Sequence, residues 1–186
     1  TPTEDPQRAV RFQKALDFFE KATKLAPQNV VYYNLLAQTF YILGQFDQAI
    51  KVLQASVALD AAFDQTQMLL GDTYAAMSRP EEAAQAHAKA IALSPGAFAD
   101  QFLNQRLNFY ASVPPTTTSS ITPLQRIISA FTQAGATNPN NALIPRALGL
   151  LYNRIGDRQK ALAYYEQAAQ LGDNQAAMAM ADEYLN

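Results

Sequence analysis

Cysteine is absent from the 186-residue chain. Disulfides, thiolate nucleophiles and most structural zinc sites are excluded together. A cysteine-free chain suits reducing and oxidising compartments alike, so the composition fixes no localisation, and a cytoplasmic domain and an extracytoplasmic domain of a larger protein both remain open. His87 is the single histidine, which rules out a histidine pair on a metal and leaves no Cys–His dyad. No stretch reaches the roughly 18 to 20 uncharged apolar residues that a membrane helix needs, so a soluble chain without membrane contact is expected. Charge of one sign is also missing. The formal net charge is -2, too balanced for a nucleic-acid binder or a polybasic membrane patch.

Phosphate-cradling glycine loops are not found; neither GxGxxG nor GxxxxGK[ST] occurs around Gly71 or Gly149. No charged n-region followed by an apolar h-region opens the chain, so no signal peptide is read. Thr1-Pro2-Thr3-Glu4-Asp5-Pro6 reads instead as a linker (1–6), and a start at Thr1 suggests an excised or processed domain. Glu81 and Glu82 are adjacent, point differently around a helix, and read as a solvated first turn. The expectation is a chain without catalysis, cofactor or metal.

What is present is a repeat. Starting points at 30, 64 and 98 lie 34 residues apart, and the next, at 142, follows after 44. Leu36, Leu70 and Leu148 hold one slot, Phe40, Tyr74 and Tyr152 another, and Ala49, Ala83 and Ala161 a third. Leu70-Gly71…Tyr74…Ala83…Ala90…Pro95 and Leu148-Gly149…Tyr152…Ala161…Tyr165…Ala168 carry the fullest versions. In the stretch from Val30, Ala37, Ser56 and Ala61 stand where the others favour Gly, Ala and Pro. Asp173 likewise stands in a closing-Pro slot, and His87 in the slot of a large packed residue.

This pattern resembles the tetratricopeptide repeat, in which two antiparallel helices are joined by a tight turn. Gly or Ala in the eighth slot lets the paired helices approach, and the aromatic one turn later shares its face. Turn chemistry agrees. Gly44 and Gly156 suit a left-handed residue after a helix, Asp47 and Asp157 are candidate N-caps, and Pro80 suits a helix start. The domain reading that follows is a truncated first repeat at 7–29, repeats at 30–63 and 64–97, a divergent repeat at 98–141, a repeat at 142–175 and a capping helix at 176–186. The divergent repeat carries an inserted loop, 113–122, with two prolines and a run of hydroxyl residues. That loop is either a tolerated insertion or a contact with a partner or neighbouring domain. Pro145 should fall in the first turn of its helix.

The resemblance implies an all-α fold, a right-handed superhelix of antiparallel helix pairs (an α-solenoid). Its first helices would line a concave groove that takes a protein or peptide ligand. Slots two, five, nine, twelve and thirteen would face that groove. They place there Val31, Asn34, Gln38 and Tyr41, then Gln65, Met68 and Asp72, then Arg106, Phe109 and Tyr110, and finally Leu143, Arg146, Asn153 and Arg154. Asn34 and Gln38 would hydrogen-bond a peptide backbone, and Arg106, Arg146 and Arg154 would clamp carboxylates. The Lys, Asn, Asn, Lys, Arg set of chaperone-binding relatives is not reproduced, because Asn34 and Gln38 occupy its first two slots. Three readings stand: a non-catalytic scaffold holding a peptide or helix, an accessory repeat domain of a larger bacterial membrane-anchored or secreted protein or enzyme, and a self-associating homo-oligomer.

Overall fold

Alternating short apolar and polar residues at helical spacing, broken every dozen or so positions by Gly, Pro, Asn or Asp, leave each helix too short to persist alone. Stability must come from packing successive helices. The computed structural model of the protein describes residues 6–96, 103–112 and 122–185. Ten helices and no strand are present among them: α1 (Pro6–Leu25), α2 (Val30–Ile42), α3 (Phe46–Leu59), α4 (Asp64–Ala76), α5 (Pro80–Leu93), α6 (Leu103–Ser112), α7 (Pro123–Thr137), α8 (Leu143–Arg154), α9 (Arg158–Gln170) and α10 (Asn174–Leu185). The expected first part of the divergent repeat and nearly all of its inserted loop lie outside the described residues. The chain divides into two units, Thr1–Arg79 and Pro80–Asn186.

In the first unit α1 packs on α2, α2 on α3, and α4 on both α2 and α3. Ala37 and Ala49, the small residues of the repeat pattern, are fully buried between α2 and α3, with Leu53 beside them. Asn29 caps α2 by accepting a hydrogen bond from the Val31 amide at 3.1 Å. The helix stops at Gly44, whose φ of 72° is left-handed. There Gln45 N–H donates to Phe40 at 2.9 Å and Gly44 N–H to Tyr41 at 3.0 Å, the paired bonds of a glycine-terminated helix. Ser78 takes the same slot after α4 with φ 57°, bonded in the same way through Arg79 N–H to Tyr74. Asp47 does not cap α3: Gln45 holds the N-cap position without a side-chain bond, and Asp47 is the second helical residue. Its carboxylate still lies in the first turn, where the helix dipole favours an acid.

In the second unit α5 packs on α7, α7 on α8, α8 on α9 and α9 on α10, and α6 touches α7 and α8. Thr122 opens α7 with a capping box. Its hydroxyl accepts from the Gln125 amide at 3.2 Å and its own amide donates to Gln125 Oε1 at 2.9 Å, with Pro123 in the first turn. Pro145 is the third residue of α8, where no intrahelical N–H is missed. Asp157 caps α9 through the Lys160 amide at 3.2 Å. Tyr165 on α9 is fully buried with Ala161, Ala168 and Ala176, and Met180 of α10 packs on the same cluster.

His87 on α5 is 1% exposed. Its Nδ1 is 2.6 Å from the Tyr110 hydroxyl on α6, with the rings edge to face at 86°. A buried polar ring of this kind needs such a partner. Tyr110, placed in the groove by slot counting, is accordingly core: it is 3% exposed.

Candidate partner-binding surfaces

The repeat register selects one face of each first helix, and the burial and bonding of each side chain there decide how much of it a ligand can reach. In the first unit Gln38 is exposed on α2, Tyr41 is half-buried with its ring 5.7 Å from that of Phe46, and Met68 and Asp72 are half-buried on α4. Val31 and Gln65 are exposed. Asn34 is different. It is 8% exposed, and its Nδ2 donates to Thr66 Oγ1 on α4 at 2.8 Å and to Val30 O at 3.3 Å. Thr66 in turn shares a 2.9 Å hydrogen bond with Ser56 of α3. The amide expected to meet a peptide backbone instead ties α2 to α4.

In the second unit Arg106 and Phe109 are half-buried on α6, and Phe109 packs edge-on against Tyr110 at 5.1 Å. Asn153 and Arg154 are exposed at the end of α8, and Leu143 is half-buried at its start. Arg154 donates through Nη2 to Asn108 Oδ1 on α6, so the two first helices are linked by a side-chain bond at their exposed faces. Arg146 is spoken for. Its Nε lies 3.5 Å from Asp173 Oδ2, with side-chain exposures of 12% and 6%, and its Nη1 donates to Gln175 Oε1 at the start of α10. Its carboxylate comes from the chain itself, which removes it from the expected arginine clamp. The residues that slot counting missed are Thr66, Ser56, Asn108 and Asp173. Two of these had a signal, since Ser56 and Asp173 are both departures from the repeat pattern.

Electrostatic shifts among the described residues include a cluster at the α8–α9 turn and the first half of α9. Hydrogen bonds from Lys160, side chain first and backbone amide second, hold the Asp157 carboxyl below its ordinary value, and the same pairing raises Lys160. Burial raises the Tyr164 phenol, with the neighbouring Tyr152 adding to it; the two rings stack at 5.4 Å. Among the described residues no group of three or more His, Asp or Glu is placed to hold a metal ion. None of the described helices is long and apolar enough to cross a membrane.

A tetratricopeptide repeat profile matches residues 8–73 and a second matches residues 146–178. The chain belongs to the tetratricopeptide repeat family. Its proteins are in general non-catalytic scaffolds for protein–protein interaction. Small glutamine-rich tetratricopeptide repeat-containing protein 2 of Saccharomyces cerevisiae is 29% identical over 80 residues, covering 43% of this chain and 23% of that protein. Anaphase-promoting complex subunit 3 of Schizosaccharomyces pombe is 23% identical over 149 residues, 75% of this chain and 19% of that protein. The chain thus spans less than a quarter of the length of these curated relatives. Among solved structures, MamA aligns over 95% of this chain and 98% of its own at 23% identity, with a TM-score of 0.53. A thermophilic TPR protein of Thermus thermophilus aligns over 97% and 94% at 25% identity, also at 0.53. These likenesses carry the helix-pair fold.

Proposed function

We infer that this repeat array holds a peptide or helix of a partner protein along the exposed faces of its first helices. The observation that carries this reading is the Arg154–Asn108 bond. It sets the exposed ends of α6 and α8 side by side and leaves Asn153, also exposed, next to them in sequence. Amide and guanidinium groups such as those of Asn108 and Arg154 bond a peptide backbone with little demand on its side chains. Half-buried Phe109 offers an apolar anchor beside them. Gln38, Tyr41, Met68 and Asp72 form the corresponding set on α2 and α4 of the first unit. Asn34 and Arg146 are positioning residues in this reading, because both are largely buried and their donor nitrogens bond within the chain.

A random-peptide display selection against the whole chain, followed by amide chemical-shift mapping of the enriched peptides, tests the proposal. Shifts should fall on α2 and α4 or on α6 and α8, and Arg154→Ala with Asn153→Ala should weaken a second-unit peptide by about tenfold, as expected for two lost polar contacts. Peptides that shift only second-helix amides, or none at all, sink it.

A further inference from the structure

A groove of about 510 Å³ runs between α5 and α7 of the second unit, within the roughly 300–1,000 Å³ span of ligand pockets. Both are second helices of their repeats, so this surface is separate from the one above. Lys89 and Ala92 line it from α5, and Arg126, Ser129, Ala130 and Gln133 from α7. The α7 residues recur every three or four positions and so share one helix face.

Among the described residues, two positive charges and no carboxylate line this groove. Lys89 is exposed and Arg126 half-buried. Arg126 Nε is shielded from water and has no hydrogen-bond acceptor. A carboxylate is the group that a guanidinium binds best. Exposed Ser129 and Gln133 add neutral hydrogen-bonding groups, while the short Ala92 and Ala130 side chains let a backbone come close.

We propose that the α5–α7 groove is a second docking site, taking an acidic peptide segment of a partner protein whose carboxylates meet Lys89 and Arg126. The charge complementarity selects such a segment over a neutral or basic one. The peptide lies along the helices, its backbone over the alanines and beside Gln133 and Ser129.

Fluorescence anisotropy with a labelled peptide of alternating Glu and Ser, measured on the whole chain at low ionic strength, tests this. The peptide should bind, and a peptide with Gln in place of every Glu should bind at least about tenfold more weakly. Lys89→Glu with Arg126→Glu should abolish binding. Ala92→Tyr, which keeps both charges but fills the groove, should weaken it comparably, with circular dichroism verifying that each variant is folded. The pair Gln38→Ala and Arg154→Ala, on the first helices, should leave this binding unchanged. The proposal is overturned if the Gln peptide binds equally, if charge reversal has no effect on a folded variant, or if the first-helix pair removes binding. It is also overturned if sedimentation shows the wild-type chain self-associating and the charge reversal making it monomeric, since the occupant would then be a second copy.

Discussion

The Tyr165 ring occupies the space that a side chain on Gly149 would need. A Cβ there would lie 2.4 Å from Tyr165 Cδ1 and 2.5 Å from Cε1, with the ring fully buried. The eighth-slot glycine of this repeat therefore admits an aromatic ring of the paired helix. The close approach is between backbone and ring, a more specific arrangement than two backbones meeting.

Gly149→Ala should consequently destabilise the protein. Overpacking costs about 1–3 kcal/mol, and the gain in helix propensity, about 1 kcal/mol, offsets only part of it. Gly135→Ala on α7 is the contrasting case, because its Cβ would meet Ile144 Cγ2 at 3.4 Å and nothing nearer. That substitution should be neutral or stabilising. Urea unfolding midpoints for the two variants should move in opposite directions or differ by about 1 kcal/mol or more. Equal midpoints would show that Tyr165 is free to move aside.

Asn34, Thr66 and Ser56 form a buried chain of hydrogen bonds across three helices. Thr66 sits at its centre, fully buried, so Thr66→Val keeps the shape and strands two polar partners at once. Leaving buried polar groups unmet costs about 1–3 kcal/mol. Ser56→Ala removes one end of the chain and restores the small residue usual in that slot, so its cost should be distinctly smaller. Chemical denaturation of both variants checks the order; a larger loss for Ser56→Ala would mean that the Asn34–Thr66 bond contributes little.

The repeat register was legible because it is set by size and period. Ala49, Ala83 and Ala161 share one slot and are all fully buried, and Leu36 and Leu148 share another at 6% and 3% exposure. Register names the face that a residue occupies but is silent on the neighbour it meets. Asn34 sits on the expected helix, yet its partner is 32 residues away, and that pairing diverted it from the groove. Arg146 was diverted in the same way by Asp173, and the clue was the missing proline at that position. Asp47 failed as a cap because the N-cap is a single residue, and a boundary misplaced by two positions changes the role entirely. Tyr110 leaves the groove because a histidine in a packed slot needs a buried partner, and the Tyr110 hydroxyl supplies it.

Asp157 should make the stability of α9 depend on pH in a predictable direction. Its carboxyl titrates below the ordinary value of 3.8 because Lys160 holds the charged form. A carboxyl depressed in the folded state contributes stability above the unfolded value, and that contribution is lost as pH falls through the folded one. Asp157→Asn keeps a good capping side chain but no charge. The variant should unfold at lower denaturant than wild type at neutral pH, and the gap should close as pH falls below 3.8. A gap independent of pH would assign the effect to capping geometry alone.

Asp173 does two jobs at the entry to α10. Its Oδ1 accepts from the Ala176 amide at 2.9 Å, and its Oδ2 is the partner of Arg146. Asp173→Ala should therefore lose a cap worth about 1 kcal/mol and leave a largely buried guanidinium without its carboxylate. Asp173→Asn retains the cap and should recover part of the loss. The expected local sign is faster amide hydrogen exchange along α10, beginning at Ala176, with Arg146→Met producing the same effect more weakly. Unchanged exchange in Asp173→Ala would mean that burial of Ala176 and Met180 against Tyr165 suffices to hold the helix.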